Sequence, residues 1–145
     1  MVRVSTKARV NLNPIYDILK QQNCFENEEG LRMLADAHRK AAEDIESTIL
    51  SLQAQPRAAR VIIEGAWGAA FQWIAFGCET KYQQHLNNHT RLGRFLRNLG
   101  EKAAADWWEA LDLTRQAGWY GGEPDPADAH KALSLLEQIR LWATQ

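Results

Sequence analysis

The chain has 145 residues, of which 46% are hydrophobic and 24% are charged. This length and composition predict one globular domain that can bury a core without disulfides, and they exclude a disordered or fibrous protein. The formal net charge of −1 excludes a uniformly basic polyanion-binding protein. Charge is unevenly spread, however. Residues 1–100 carry 13 Lys/Arg and 10 Asp/Glu, residues 101–145 carry 4 and 8, and residues 80–100 contain no acid. Such local asymmetry favours contact with phosphate.

Three further observations concern the compartment in which the protein works. Cys24 and Cys78 are far apart and form no C-x-x-C pattern, which indicates reduced thiols. The first residues are polar and basic with no apolar run behind them, so no signal peptide is predicted. The apolar stretch 66–78 is too short and too rich in glycine to predict a membrane span. These features predict a cytoplasmic protein.

The first half of the chain predicts a loose arm followed by helices. Residues 1–13 lack helical periodicity and are predicted to form a flexible basic arm, and a single helical-bundle domain is expected over 14–145. A short helix is predicted over 14–22, with Pro14 in its first turn. A long helix then begins after Asn27, carries an apolar stripe with a 3.6-residue period, and ends before Pro56.

The second half continues the helical pattern. A helix over about 57–84 is apolar nearly all round, which predicts a position at the centre of a bundle, with its glycines allowing close helix approach. A turn at 85–88 separates it from helices predicted over 89–99 and 101–116, which we expect to stop at Gly100 and Gly118. Asp125 and Pro126 begin the last helix. No strand pattern appears, so the sequence predicts an all-α, up-and-down-like bundle of five or six helices.

Four features follow one another between residues 58 and 142. They are a long helix rich in alanine and aromatic residues, the helix start His89-Thr90-Arg91-Leu92, an Ala/Leu helix ending in an aromatic-Gly loop, and a last helix with Asp128-Ala129 followed by Ala132-Leu133. In this order they resemble the HEPN family (higher eukaryotes and prokaryotes nucleotide-binding). The resemblance implies a small helical bundle, often dimeric, that works with a nucleotidyltransferase partner in toxin–antitoxin or defence systems.

Many members of that family are RNases marked by an arginine, four to six intervening residues, and a histidine. Arg32 and His38 have this spacing. In such a pair the arginine would stabilise charge on the reacting phosphate and the histidine would move a proton. The pair lies outside the region of resemblance, and its members are about 120° apart around a helix. We therefore interpret both as solvated helix residues and keep an enzyme as the alternative.

A basic surface is predicted on the helix that follows the His-rich turn. Arg91, Arg94 and Arg97 recur every three residues, so consecutive members are neighbours, while apolar residues occupy the other face. Together with His89 at the expected helix N-terminus, they are typical of a phosphate or nucleotide contact. The alternative is a solvated face paired with acids from the last 45 residues.

Aromatic and histidine residues supply the remaining candidates. Trp107, Trp108, Trp119 and Tyr120 are candidates for base stacking or for a dimer interface, with core packing as the simpler interpretation. His85 and His89 would need an acid such as Glu79 or Asp106 to hold a metal. Neither acid lies at a ligand spacing. No metal and no other cofactor is predicted, and His89 is expected to be a packed or capping residue.

Together these patterns predict a non-catalytic regulatory protein that binds a nucleotide or nucleic acid. It is expected to be a homodimer that works with a nucleotidyltransferase or in a toxin–antitoxin pair, away from membranes. Two alternatives remain open. One is a metal-independent RNase of the HEPN type that uses Arg32 and His38. The other is a structural dimer that binds a protein partner through its tryptophans.

Overall fold

A computed structural model describes residues 28–120 and 122–145. This part of the chain contains α-helices and no strand, which confirms the predicted all-α bundle. The elements in chain order are α1 (Glu28–Ser51), a 3-10 turn (Pro56–Ala58), α2 (Ala59–Tyr82), α3 (Leu92–Asn98), α4 (Lys102–Tyr120) and α5 (Pro126–Thr144). The predicted arm over 1–13 and the predicted helix over 14–22 lie outside the described residues.

The long helices alternate in direction around α2. α1 is antiparallel to α2, because Ile49 lies at the site of Gly65 near the start of α2, whereas His38 reaches Gln72 further along it. At Gly65 an added Cβ would lie 2.3 Å from the Ile49 side chain, so the missing side chain permits this close approach, as predicted.

The other two long helices pack on the remaining sides of α2. α4 is antiparallel to α2, since Trp119 near its end reaches Glu64 near the start of α2. α5 returns parallel to α2. At Gly77 an added Cβ would lie 2.8 Å from the Trp142 ring of α5, which is a second close approach through a glycine. The short α3 packs against α4. Four long helices in up-and-down order with one short crossing helix therefore form the described bundle.

The central position predicted for α2 is confirmed by its burial. Half of its residues are buried, and its largest fully enclosed side chains include Ile62 and Ile74. By length and composition alone, the continuous segment Pro56–Tyr82 is also long and apolar enough to cross a membrane. Of its most apolar 18-residue stretch, 56% is buried within the bundle. Core helices of bundles commonly share this property.

Four tryptophan side chains link neighbouring elements through hydrogen bonds from their indole N–H groups. Each donates its indole N–H to a carboxylate on a neighbouring element, at 2.5–3.0 Å. The pairs are Trp67 with Asp112, Trp73 with Glu46, Trp119 with Glu64, and Trp142 with Glu101. The apolar body of each ring can thus pack against the helices while its N–H is satisfied.

Helix ends agree with the prediction where the signal is local. Asp125 and Asp128 form a reciprocal capping box at the start of α5, with Pro126 in its first turn. Gly100 follows α3 with φ +86°, as expected of a residue that ends a helix.

Two predicted boundaries were wrong. α4 continues past Gly118 to Tyr120, because Trp119 is anchored on α2 through Glu64 and beneath the Arg60 guanidinium. α3 begins at Leu92 rather than at about residue 89. Residues 83–89 are non-helical, and Arg91 has a left-handed backbone with φ 59°. These residues therefore form an extended segment and a turn before α3.

Candidate functional site

A buried carboxylate lies at the end of α2. The side chain of Glu79 is fully enclosed, and His85 Nδ1 donates a hydrogen bond to its Oε1 atom. His38 Nε2 from α1 lies 3.6 Å from the same oxygen. The other carboxylate oxygen, Oε2, is buried and has no hydrogen-bond partner among the described residues. Glu79 thus holds a negative group inside the protein, faced by two imidazoles.

The orientation of His38 is set by a glutamine on α2. Its Nδ1 atom lies 2.6 Å from Gln72 Oε1. Because an amide oxygen only accepts hydrogen bonds, Nδ1 carries the proton. In the neutral ring the lone pair is then on Nε2, the atom that faces Glu79. This places two potential ligand atoms next to each other on different helices.

His85 reaches Glu79 because the chain reverses at the end of α2. Gln83 has a left-handed backbone with φ 52°, and its N–H donates to the Glu79 carbonyl. The N–H of Gln84 reaches back to the Cys78 carbonyl. This pair of bonds is a helix-ending motif that turns the following residue back over the last turns. The buried Leu86 anchors the segment in the core.

Together His38, Glu79 and His85 have the composition of a metal-ligand set. One nitrogen or oxygen atom from each lies within 4.8 Å of the other two. Cys78 precedes Glu79, but burial raises the pKa of its thiol to about 12, with Glu101 and Glu79 adding to the effect. Cys78 therefore stays protonated and offers no thiolate ligand.

An open cleft of about 510 Å³ between α1 and α2 reaches Glu79. Arg32, Asp36, Phe76 and Gln83 contribute to its lining. Arg32 is exposed, as predicted, but the expectation that His38 is a solvated helix residue was wrong: its side chain is 12% exposed and engaged with Gln72 and Glu79. Arg32 therefore lines the cleft beside Glu79, whereas His38 is not among the residues that line it.

The second candidate site is the outer face of α3. Arg91 and Arg94 are exposed and form no ion pair within the described residues. Arg91 is the N-cap and Arg94 lies in the first turn of α3, three residues later in the chain. Guanidinium groups without carboxylate partners are available to an anion from solvent.

Arg97 differs from the other two arginines. It donates one hydrogen bond to Asp106 at 2.8 Å and two to Glu109, and Lys102 donates to Asp106 as well. The hydrogen bonds to Glu109 raise the pKa of Arg97, and Arg97 in turn lowers the pKa of Glu109. Arg97 therefore ties α3 to α4, and the exposed basic surface consists of Arg91 and Arg94.

His89 lies before α3 and not at its N-terminus, which corrects the expected position. The exposed ring packs edge-on against Trp67 at 4.8 Å and against Phe71 at 6.4 Å between centroids. The interpretation of His89 as a packed residue is supported, although one side of the ring remains open to solvent. His89 thus borders the Arg91 end of the basic surface.

The aromatic candidates separate into two groups. Trp108 is 4% exposed and belongs to the core, while Trp107 is half-buried against it. Trp119 and Tyr120 are 60% and 90% exposed at the end of α4. Only the second group is therefore accessible to a base or to another protein.

Sequence reasoning missed the buried cluster because it paired His85 with His89. Those histidines lie in one extended segment and contact different residues: His85 contacts Glu79, and His89 contacts Trp67 and Phe71. A usable signal was present in the Glu79-to-His85 spacing, which suits a chain reversal at a helix end. The contribution of His38 depends on the packing of α1 against α2.

Comparison with known proteins gives no assignment: no family model, curated protein or solved structure matches the chain.

Proposed function

We propose that the protein is a non-catalytic regulatory protein that binds the phosphates of a nucleotide or single-stranded nucleic acid through Arg91 and Arg94. The observation that carries the proposal is the exposure of these two guanidinium groups, three residues apart in the chain, without carboxylate partners in the described residues. The absence of acidic residues over 80–100 adds a favourable local field. The resemblance to HEPN proteins supports the same ligand class and a partner of the nucleotidyltransferase or toxin–antitoxin type.

Neighbouring aromatic groups would strengthen contact with a nucleotide. His89 is exposed two residues before Arg91 in the chain, and its ring packs edge-on against Trp67. Arginine contributes charge-assisted hydrogen bonds to phosphate, whereas aromatic rings stack with bases independently of their sequence. We therefore expect binding that depends strongly on salt and weakly on base sequence.

The test is binding of a fluorescent, mixed-sequence single-stranded RNA measured by anisotropy between 50 and 200 mM salt (about the range in which phosphate contacts dominate). The double variant Arg91→Ala/Arg94→Ala should weaken binding, and the slope of log affinity against log salt should fall by about 0.7 for each phosphate that the protein no longer binds. Arg57→Ala is the matched control, because Arg57 is exposed and lies in the 3-10 turn before α2, outside the surface formed by Arg91 and Arg94. Equal decreases in affinity in both variants, or an unchanged affinity in the double variant, would reject the proposal.

The RNase alternative can be measured in the same samples by following the RNA on a denaturing gel. Cleavage that disappears in both Arg32→Ala and His38→Ala would favour an enzyme over a binding protein. The burial of His38 between Gln72 and Glu79 disfavours that alternative, since a general base must reach the attacking hydroxyl.

The structural-dimer alternative draws on a different observation. Leu113, Trp119 and Tyr120 are large apolar side chains that remain exposed on α4. Exposed apolar residues of this size are typical anchors of protein interfaces. Analytical ultracentrifugation of the wild type and of Leu113→Ser/Tyr120→Ser would measure whether a second copy uses this surface. An unchanged dimer in the double variant would exclude these two side chains from the interface.

A further inference from the structure

We propose that His38, Glu79 and His85 form a binding site for a divalent transition-metal ion of the zinc class. This proposal is independent of phosphate binding by Arg91 and Arg94. It rests on a set of two imidazoles and one carboxylate drawn from α1, α2 and the segment after α2. Two histidines and a glutamate are a common protein ligand set for zinc and leave one coordination position for water or another ligand.

The distance between His38 and Glu79 suits a metal of this size, whereas His85 must leave its present hydrogen bond to become a ligand. Zinc binds nitrogen and oxygen at about 2.1 Å, so neighbouring ligand atoms in a tetrahedral site are about 3.4 Å apart. His38 Nε2 and Glu79 Oε1 are 3.6 Å apart, which is too long for a hydrogen bond. In a neutral His38 the lone pair on Nε2 faces the carboxylate oxygen, and a cation between these two acceptors would satisfy both.

The surroundings of His38 resemble the outer shell of a metal site. A metal-bound histidine usually donates its other ring N–H to an oxygen acceptor, which sets the ring orientation and the tautomer. Gln72 Oε1 provides such an acceptor for Nδ1 at 2.6 Å. The lone pair on Nε2 is thereby directed at Glu79 before any metal arrives.

Glu79 provides the independent indication that a cation is required. Its side chain is fully enclosed, and Oε2 has no hydrogen-bond partner in the described part of the chain. A buried carboxylate oxygen without a donor is costly, and a cation bound by both oxygens of Glu79 would satisfy it. His85 Nδ1 now donates to Oε1; on metal binding its proton would pass to solvent and its lone pair would enter the coordination sphere.

The cleft between α1 and α2 lies beside the cluster, although the Glu79 side chain itself is enclosed. The cleft is open to solvent, and Glu79 contributes to its lining together with Asp36. We expect a water molecule from this cleft to occupy the fourth coordination position. Magnesium and calcium are poor candidates, because they prefer sites built wholly from oxygen ligands.

Isothermal titration of the full-length, chelator-treated protein with Zn²⁺ tests the proposal, with Mg²⁺ as the comparison ion. The wild type should bind one Zn²⁺ per chain and show no saturable binding of Mg²⁺. His38→Gln, Glu79→Gln and His85→Gln should each weaken Zn²⁺ binding by about 100-fold or more. Gln72→Ala should weaken it by about 10–100-fold, the usual range for an outer-shell partner. His89→Gln and His130→Gln are matched controls, because both histidines are exposed and lie outside the cluster.

Imidazole NMR spectra of the wild type keep the proposal testable if a cluster variant fails to fold. On addition of Zn²⁺ the ring resonances of His38 and His85 should shift, and those of His89 and His130 should not. Absence of saturable Zn²⁺ binding by the wild type, or shifts confined to His89 and His130, would overturn the proposal.

Discussion

Two clusters of this protein pair carboxylates with nitrogen-containing side chains but differ in their contact with water. Glu79 is enclosed and faces His38 and His85, whereas Glu109 shares the exposed Arg97 with Asp106. Water screens the second cluster, so its ion pairs contribute little to stability. In the first cluster every missing partner leaves a buried charge or a buried polar atom uncompensated. Burial, more than the number of polar partners, decides which cluster the fold depends on.

The largest effect is expected from removing a partner of the buried carboxylate. His85→Leu should lower the free energy of unfolding by about 3–5 kcal/mol, the range for breaking a buried charged pair. Urea unfolding at pH 7 with a chelator present measures this. The control is Glu79→Met/His85→Leu, which removes both partners and should recover most of the decrease. Equal destabilisation in the single and double variants would show that the effect comes from packing and not from the carboxylate.

A smaller effect is expected at the two residues with a left-handed backbone, which lie at the ends of the non-helical segment between α2 and α3. Gln83 and Arg91 have φ values of 52° and 59°, which side chains with a Cβ rarely adopt. Gln83→Gly and Arg91→Gly should each raise the free energy of unfolding by about 0.5–1 kcal/mol by removing this strain. Only Arg91→Gly should also weaken RNA binding. Gln83→Gly is the control for binding, and weaker binding by both variants would point to the shape of the segment rather than to the guanidinium.

The exposed cluster should show its role in binding rather than in stability. Glu109→Ala removes the bidentate partner of Arg97 and leaves its guanidinium bonded to Asp106 alone, so a third arginine becomes more available on α3. We expect tighter RNA binding and a salt slope steeper by about 0.7, equivalent to one additional bound phosphate. The urea midpoint should be unchanged. Leu113→Ser on the same helix is a control, and weaker RNA binding by Glu109→Ala would contradict an anion-binding surface on α3.

The smallest expected effect is the pH dependence of the exposed cluster. Hydrogen bonds from Lys102 and Arg97 lower the pKa of Asp106, and those from Arg97 lower the pKa of Glu109. Because the folded-state pKa values are depressed, these groups stabilise the fold above the ordinary carboxylate range and lose that contribution as pH falls through the lowered values. As the pH falls from neutral to acidic, the melting temperature should therefore decrease slightly less steeply for Arg97→Ala than for the wild type. An identical acid profile would show that solvent screening removes the effect.

Local sequence signals predicted most of the fold. The predicted central position of the apolar helix α2 and the predicted Asp125 cap of α5 were both confirmed. Helix periodicity and capping involve residues only a few positions apart, so they can be recognised in the sequence. The end of α4 and the start of α3 were misplaced where contacts of longer range intervene. For example, α4 continues beyond Gly118, where Trp119 donates a hydrogen bond to Glu64 on α2.

The candidate sites were less predictable than the helices. Arg91 and Arg94 are both exposed, but Arg91 precedes α3 with a left-handed backbone instead of lying inside the predicted helix. The diversion of Arg97 to Asp106 and Glu109 depends on how α3 packs against α4. The assignment of His38 to solvent failed for the same reason, because its partners Gln72 and Glu79 belong to another helix.

The sequence by itself therefore determined that the chain forms amphipathic helices around one apolar central helix, with several of their caps. Only the tertiary structure decided which polar side chains meet. Helical periodicity repeats every few residues and can be read along the chain. The meeting of His38 with Glu79 depends on the antiparallel register of α1 and α2 and on the chain reversal at Gln83 that brings in His85. That register is set by side-chain packing between helices, which no local pattern encodes.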